Sequence, residues 1–114
     1  MNALVVDDDA SIRKIVAKLL TKGGFDVVGE AADGAQALEI AARLLPDVIT
    51  LDDSMPGMSG LAVLPQLRKT LPNAVIVMLS MHMQYEEHAR RGGADAYILK
   101  ICAVDELIPA IRSA

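Results

Sequence analysis

Residues 74–79 read Ala-Val-Ile-Val-Met-Leu, and this stretch decides the fold. Its unbroken apolar character predicts a β-strand that is buried on both faces, which is typical of a parallel sheet covered by helices. A shorter apolar run at residues 3–6 stops abruptly at three aspartates, Asp7, Asp8 and Asp9. This run predicts another buried strand, one that ends at a polar edge.

Strand and helix patterns alternate on both sides of this stretch. Apolar residues recur at three- and four-residue steps in four segments, which is typical of amphipathic helices, and a fifth, more polar segment is also predicted to be helical. This alternation indicates an α/β domain with a doubly wound parallel sheet and helices on both faces. The predicted strands are residues 3–6, 25–29, 47–51, 74–79 and 96–99, and the predicted helices are residues 12–20, 37–44, 61–71, 83–91 and 104–112.

The composition restricts the classes of function. The 114 residues fit one domain, residues 1–114, with an aliphatic core that needs no disulfide or structural metal. A net charge of −4 and a content of two tyrosines, one phenylalanine and no tryptophan argue against nucleic-acid binding. Charged residues interrupt every apolar run before the roughly 18 residues that a membrane span needs, and no signal peptide is recognisable. We therefore expect a cytoplasmic domain that contacts no membrane.

Polar residues follow four of the predicted strands. In a doubly wound sheet the functional site lies at the carboxyl ends of the strands, beside the switch in strand order. These residues are therefore the candidates for the site. They are Asp7, Asp8, Asp9, Asp52, Asp53, Ser80 and Lys100.

The carboxylates at this edge need a compensating charge. Crowded carboxylates repel one another, and a hard divalent cation such as Mg²⁺ relieves the repulsion. Helix capping is the alternative, and it fits Asp9, which directly precedes the first helix. Capping does not explain Asp7, Asp8 and Asp52 together, because one helix start needs only one cap.

Lys100 points to the chemistry of this edge. It ends an apolar strand, where an ammonium group needs a carboxylate or a phosphoryl partner. A metal ion, a lysine and a hydroxyl around one aspartate are what phosphoryl transfer to a carboxylate requires, because they neutralise the charge on the phosphoryl oxygens.

Four motifs resemble those of receiver domains of two-component response regulators, in the same order and at the same spacing. They are Leu-Val-Val-Asp-Asp at 4–8, Asp-Asp-Ser-Met-Pro-Gly at 52–57, Leu-Ser-Met at 79–81 and Tyr-Ile-Leu-Lys at 97–100. The resemblance covers the entire chain. It implies a flavodoxin-like sheet of order 2-1-3-4-5 and a phosphoacceptor switch rather than a turnover enzyme.

The resemblance also implies roles at the acidic site. Asp52 would accept the phosphoryl group from the phosphohistidine of a sensor histidine kinase or phosphotransfer protein. Asp8 would bind Mg²⁺ directly, Asp7 would act mostly through metal-bound water, and the backbone carbonyl of Ser54 would be a further ligand. The family is variable at Asp53, so the resemblance assigns it no role.

The remaining motifs imply a conformational switch. Ser80 would bond a phosphoryl oxygen and Lys100 would pair with the phosphoryl charge, after which Tyr97 would turn inward. The surface of the fourth helix, fifth strand and fifth helix would then change and serve as a homodimer or partner surface. Ile101 replaces the proline that the family usually has after the lysine, and a trans bond is predicted because a non-proline cis bond costs about 2.5–4 kcal/mol.

Three alternatives stay open. The chain is similar to receivers of the nitrate-response type, which carry a helix-turn-helix output domain and control transcription, but a stand-alone receiver or phosphorelay module is equally compatible. A phosphatase of the haloacid-dehalogenase type would need a second aspartate two residues after Asp52, where Ser54 stands. A degenerate receiver that acts only as a scaffold would not need the intact set of Asp8, Asp52, Ser80 and Lys100.

Overall fold

A computed structural model describes all 114 residues and confirms the predicted fold class. Its strands are β1 (Asn2–Val6), β2 (Asp26–Ala31), β3 (Val48–Asp52), β4 (Val75–Ser80) and β5 (Ala96–Leu99). They form one parallel sheet in the order β2-β1-β3-β4-β5. The strand order reverses between β1 and β3, so the doubly wound arrangement directs attention to the carboxyl ends of these two strands.

Five helices cover the sheet, and three of them begin at a polar cap. The side chains of Asp9, Asp33 and Ser59 accept amide hydrogen bonds at the first three helix starts, which confirms the cap predicted for Asp9. The fourth helix is shorter than the predicted 83–91, because Ala89 is its only buried residue and little apolar surface holds it. The helices are α1 (Ala10–Lys22), α2 (Gly34–Leu44), α3 (Gly60–Thr70), α4 (Glu86–Gly92) and α5 (Ala103–Arg112).

Side chains from the central strands fill two cores, one on each face of the sheet. Ile49 and Leu51 of β3 face the core that lies under α2, α3 and α4. Val48 faces the opposite core, under α1 and α5. Because successive side chains of a strand point to opposite faces, the same alternation decides which way the polar residues at the strand ends point.

The chain turns directly after β5. Lys100 begins a one-turn 3₁₀ helix, Lys100–Cys102, directly after β5, whose bounds match the strand predicted at residues 96–99. The bond between Lys100 and Ile101 is trans, as predicted. None of the helices combines the length and the apolar character that crossing a membrane requires.

Candidate functional site at the carboxyl edge

Four predicted site residues lie together at one edge of the sheet, where the strands end. We call this edge the carboxyl edge, and its residues are Asp7, Asp52, Ser80 and Lys100. Asp7 follows β1, Asp52 ends β3, Ser80 ends β4 and Lys100 follows β5. The first three are only 2%, 3% and 0% exposed. Two carboxylates and a hydroxyl are thus held in a largely water-excluded place, where their partners decide the chemistry.

Lys100 joins the two buried carboxylates. Its Nζ lies 2.9 Å from Oδ2 of Asp7 and 3.2 Å from Oδ1 of Asp52. Burial disfavours the ammonium charge, but the hydrogen bond to Asp7 and the charge of Asp52 outweigh it, so the pKa of Lys100 is raised. Lys100 is therefore a permanent cation at neutral pH, shared between two anions.

The negative charge of Asp52 is only partly neutralised by the ammonium group of Lys100. Burial raises the pKa of Asp52 to about 6, and the charge of Asp7 adds to the effect, although the Ser54 amide and Lys100 oppose it. Both donors bond Oδ1, with the Ser54 amide at 3.2 Å, so Oδ2 is the oxygen left for a further ligand or for nucleophilic attack. The Asp52 carboxylate thus keeps one oxygen, Oδ2, that neither of these donors bonds.

Asp7, Asp8 and Asp52 form a group that fits a divalent cation. One carboxylate oxygen from each lies within 4.8 Å of the others, and Asp8 is exposed whereas the other two are buried. Carboxylate oxygens suit Mg²⁺, which keeps several water molecules, and the exposed side of Asp8 leaves room for them. These residues are therefore the ones that could hold the ion expected from the sequence.

The position of Asp7 is fixed by its neighbours. Its Oδ1 accepts a hydrogen bond of 2.9 Å from the amide of Asp9, and its carbonyl oxygen accepts one of 2.7 Å from Arg13. Arg13 also pairs with Glu30 on β2. The sequence analysis missed this arginine, because its role depends on how the first turn of α1 faces the end of β1.

Ser80 bonds the neighbour of Asp52 and not Asp52 itself. Its hydroxyl donates to Oδ2 of Asp53 at 2.6 Å and accepts from the amide of His82 at 3.0 Å. Asp52 pairs with Leu79 in the β3–β4 register, so the next position along places Asp53 beside Ser80. Asp53, to which the sequence assigned no role, is thus a buried part of this edge.

Tyr97, which is expected to turn inward when Ser80 is drawn to the phosphoryl group, lies inward in this structure. Its ring is already buried, at 6% exposed, and its hydroxyl lies 2.6 Å from the carbonyl oxygen of His82 and 3.2 Å from Oδ2 of Asp53. Burial raises the pKa of Tyr97, and the negative charge of Asp53 contributes to the rise. Buried acceptors hold the tyrosine inside in this structure, and its movement on phosphorylation stays a prediction.

A doubly wound sheet of this order, with acids, a hydroxyl and a lysine at its carboxyl edge, defines a class of α/β domains that place one reactive aspartate at the switch in strand order. Residues 3–112 match the sequence profile of the response regulator receiver domain. The chain belongs to this family, whose members are phosphoacceptor domains.

Relatives and a solved structure agree with this assignment. The chain is 40% identical over 114 residues to the nitrate/nitrite response regulator protein NarL of Escherichia coli, covering 97% of this chain and 53% of NarL. It is 34% identical over 111 residues to the chemotaxis protein CheY of Thermotoga maritima, covering 96% and 92%. A CheX–CheY–BeF₃–Mg²⁺ complex from Borrelia burgdorferi contains a chain with TM-score 0.92 and 28% identity, covering 99% and 87%.

The lengths of these relatives divide into two groups. The chain spans about half the length of NarL and of several other curated relatives, but nearly all of CheY. The shared part is the receiver domain, so the similarity concerns this domain and not the rest of the longer relatives.

Proposed function

We propose that Asp52 accepts a phosphoryl group from the phosphohistidine of a sensor histidine kinase or phosphotransfer protein, in a reaction that requires Mg²⁺. The observation that carries the proposal is the position of Lys100, whose Nζ lies 2.9 Å from Asp7 and 3.2 Å from Asp52. A buried aspartate beside a fixed cation and two further acids matches what phosphoryl transfer to a carboxylate needs.

The free oxygen of Asp52 is the nucleophile in this proposal. Oδ2 forms a bond to phosphorus as the phosphorus–nitrogen bond of the phosphohistidine breaks, and the imidazole leaves with the bonding electron pair. The Ser54 amide and Lys100 hold Oδ1 and so fix the direction of attack. A pKa of about 6 leaves most of the Asp52 carboxylate ionised, and therefore nucleophilic, at neutral pH.

The other site residues would neutralise the transferred group. Mg²⁺, held by Asp8 and Asp52, by the Ser54 carbonyl and through water by Asp7, would supply positive charge next to the phosphoryl oxygens. Lys100 would turn from its two carboxylates towards a phosphoryl oxygen.

The proposed output is a switch and not catalytic turnover. Phosphorylation would change the surface formed by α4, β5 and α5, which is our candidate for a homodimer or partner interface in the cytoplasm. The similarity to NarL supports an output domain that regulates transcription, whereas the similarity to CheY supports a stand-alone receiver or phosphorelay module. In neither case do we propose that this domain contacts nucleic acid or a membrane.

Intact-mass measurement with acetyl phosphate and Mg²⁺ tests the phosphorylation site. We expect the addition of one phosphoryl group to the parent protein, none after chelation of Mg²⁺ and none in Asp52→Asn. Asp53→Asn is the matched control, because it alters the adjacent buried carboxylate and should leave the modification in place. A phosphoryl group that persists in Asp52→Asn would move the site to Asp8 or Asp53 and contradict the proposal.

Two-dimensional NMR with beryllofluoride tests the switch surface. We expect backbone signals of residues 80–112 to change more than those of α2, and self-association to strengthen. In Ser80→Ala and Tyr97→Ala the changes across α4, β5 and α5 should shrink while Asp52 stays modifiable. Changes of equal size throughout the domain, or parent-like changes in both variants, would leave only the phosphorylation chemistry of the proposal.

A further inference from the structure

The side chain of Asp53 occupies a position that the proposed phosphorylation chemistry does not use. It is 7% exposed and lies on the α3–α4 side of the sheet, together with Ser80 and Tyr97. Asp52, one residue earlier, points to the other side, towards Asp7 and Lys100. The two adjacent carboxylates at the end of β3 therefore belong to two different groups of contacts. Asp52 lies with Asp7 and Lys100, and Asp53 lies with Ser80 and Tyr97.

The single donor proton of Ser80 is already engaged by this arrangement. It has one proton, which it donates to Oδ2 of Asp53 at 2.6 Å, and its oxygen accepts the amide proton of His82 at 3.0 Å. A hydrogen bond to a carboxylate is stronger than one to a neutral acceptor. The same proton cannot reach a phosphoryl oxygen on Asp52 until the bond to Asp53 breaks.

Tyr97 is tied to the same oxygen. Its single proton can be donated to the carbonyl of His82, 2.6 Å away, or to Oδ2 of Asp53, 3.2 Å away. The hydroxyls of Ser80 and Tyr97 thus meet at one carboxylate oxygen, so Asp53 contacts both residues of the predicted switch.

We propose that Asp53 is a positioning residue that competes with the phosphoryl group for Ser80 and holds Ser80 and Tyr97 inward in the unphosphorylated protein. The proposal rests on phosphorylation of Asp52, as proposed above. It has two consequences. First, Ser80 is withheld from a ligand on Asp52, which lowers the affinity for that ligand. Second, Tyr97 has little further to move when the ligand binds.

Beryllofluoride affinity in a double-mutant cycle tests the competition. Asp53→Ala should bind beryllofluoride with Mg²⁺ about tenfold more tightly than the parent, since Ser80 is released. Removing a nearby negative charge would also tighten an anionic ligand, so the same change is made in a Ser80→Ala background. We expect most of the tenfold gain to vanish there. A gain of equal size in both backgrounds would overturn the competition, because the effect would be one of charge alone.

Asp53→Asn provides a second, more conservative variant. Its amide oxygen keeps an acceptor for Ser80 in nearly the same volume, so the gain in beryllofluoride affinity should be smaller than in Asp53→Ala, at about threefold. If Asp53→Ala fails to fold, its amide spectrum will show it. Asp53→Asn is then compared in the parent and in Ser80→Ala, and the same test is made with a smaller expected difference in beryllofluoride affinity.

Tyrosine-labelled NMR tests the inward position without any phosphoryl analogue. The chain has two tyrosines, Tyr85 and Tyr97, so selective labelling gives two sets of ring signals, and Tyr85→Phe assigns them. We expect Asp53→Ala to move the Tyr97 signals in the free protein and to enlarge their response to beryllofluoride, with Tyr85 changing less. Unchanged Tyr97 signals would overturn the proposal. A parent that takes no phosphoryl group at Asp52 would instead refute the proposed function, while this measurement on the free protein would still report whether Asp53 holds Tyr97.

Discussion

The two edges of the sheet treat their charged side chains in opposite ways. At the amino edge, where β4 and β5 begin, the guanidinium of Arg68 donates to the carbonyl oxygens of Gly93 and Ala74 and pairs with Asp95 at 2.7 Å. Asp95 in turn accepts the amide of Ile76 at 2.8 Å. Both members of this ion pair thus also bond backbone groups near the beginnings of β4 and β5.

At the carboxyl edge the charges are crowded and incompletely paired. Asp7 and Asp52 share the single ammonium of Lys100, and the burial of Asp52 raises its pKa to about 6. The difference shows that opposite edges of one sheet contribute to two different properties, the stability of the fold and the capacity to bind charged ligands. Where β4 and β5 begin, Arg68 and Asp95 stabilise the fold by bonding each other and backbone groups, whereas the carboxyl edge retains incompletely paired charge that a cation or a phosphoryl group can use.

The largest expected effect comes from breaking the amino edge. Arg68→Ala leaves several carbonyl oxygens without their donor and Asp95 without its cation, so the free energy of unfolding should fall by about 2–4 kcal/mol. Denaturant unfolding measures it. Arg90→Ala is the matched control, because Arg90 pairs with Glu86 at an exposed position of α4 and should cost less than about 0.5 kcal/mol. Similar losses of unfolding free energy in both variants would mean that Arg68 contributes no more than an exposed ion pair, and the contrast between the edges would be wrong.

A smaller effect of opposite sign is expected at the carboxyl edge. Asp52→Asn removes a buried charge and should raise the melting temperature by about 3–8 °C at pH 7.5. The folded-state pKa of about 6 lies above the ordinary value of 3.8, so the parent binds the proton more tightly when folded. The parent therefore loses stability as the pH rises from about 4 through 6, and the advantage of the variant should grow over that interval.

Thermal melts across this pH range check the prediction. The comparison between parent and Asp52→Asn is needed at each pH, since other carboxylates titrate in the same interval. A variant that melts below the parent at pH 7.5 would mean that Lys100 compensates Asp52 fully, and the carboxyl edge would then resemble the amino edge.

The smallest expected effect is that of the metal ion. Mg²⁺ at about its dissociation constant should stabilise the parent by about 0.4 kcal/mol through mass action, a rise of about 1–3 °C in melting temperature. Asp8→Ala should lose this rise. Asp26→Ala, an exposed acid at the start of β2, should keep it. A rise that survives in Asp8→Ala would show that the acids of the carboxyl edge do not hold the ion.

Much of this molecule could be predicted from the sequence, because periodicity and strand-end chemistry are local signals. The unbroken run at residues 74–79 gave a strand that the structure has at Val75–Ser80, and the acid-terminated strands brought Asp7 and Asp52 to one edge. The weak point was the fourth helix, which starts at Glu86, since a polar segment with one buried residue has no clear periodicity.

The roles of Asp53 and Arg68 could not be predicted in the same way. Alternation along β3 implies that Asp53 points away from Asp52, but its partner depends on the register between β3 and β4, which no local pattern encodes. Arg68 is bonded to Gly93 and Asp95, more than twenty residues further along the chain. Such contacts exist only after the helices have packed on the sheet.

The hydrogen bond between Ser80 and Asp53 also affects the signalling gain of the domain, which is the size of its response to an input. A two-state switch transmits only the difference in stability that its input creates between the two states. A carboxylate that already engages Ser80 at 2.6 Å reduces this difference, since the input exchanges one anionic acceptor for another. The domain would then operate with a raised basal output and a narrow dynamic range, and a single substitution at position 53 would adjust both without altering Asp52, the proposed phosphoacceptor.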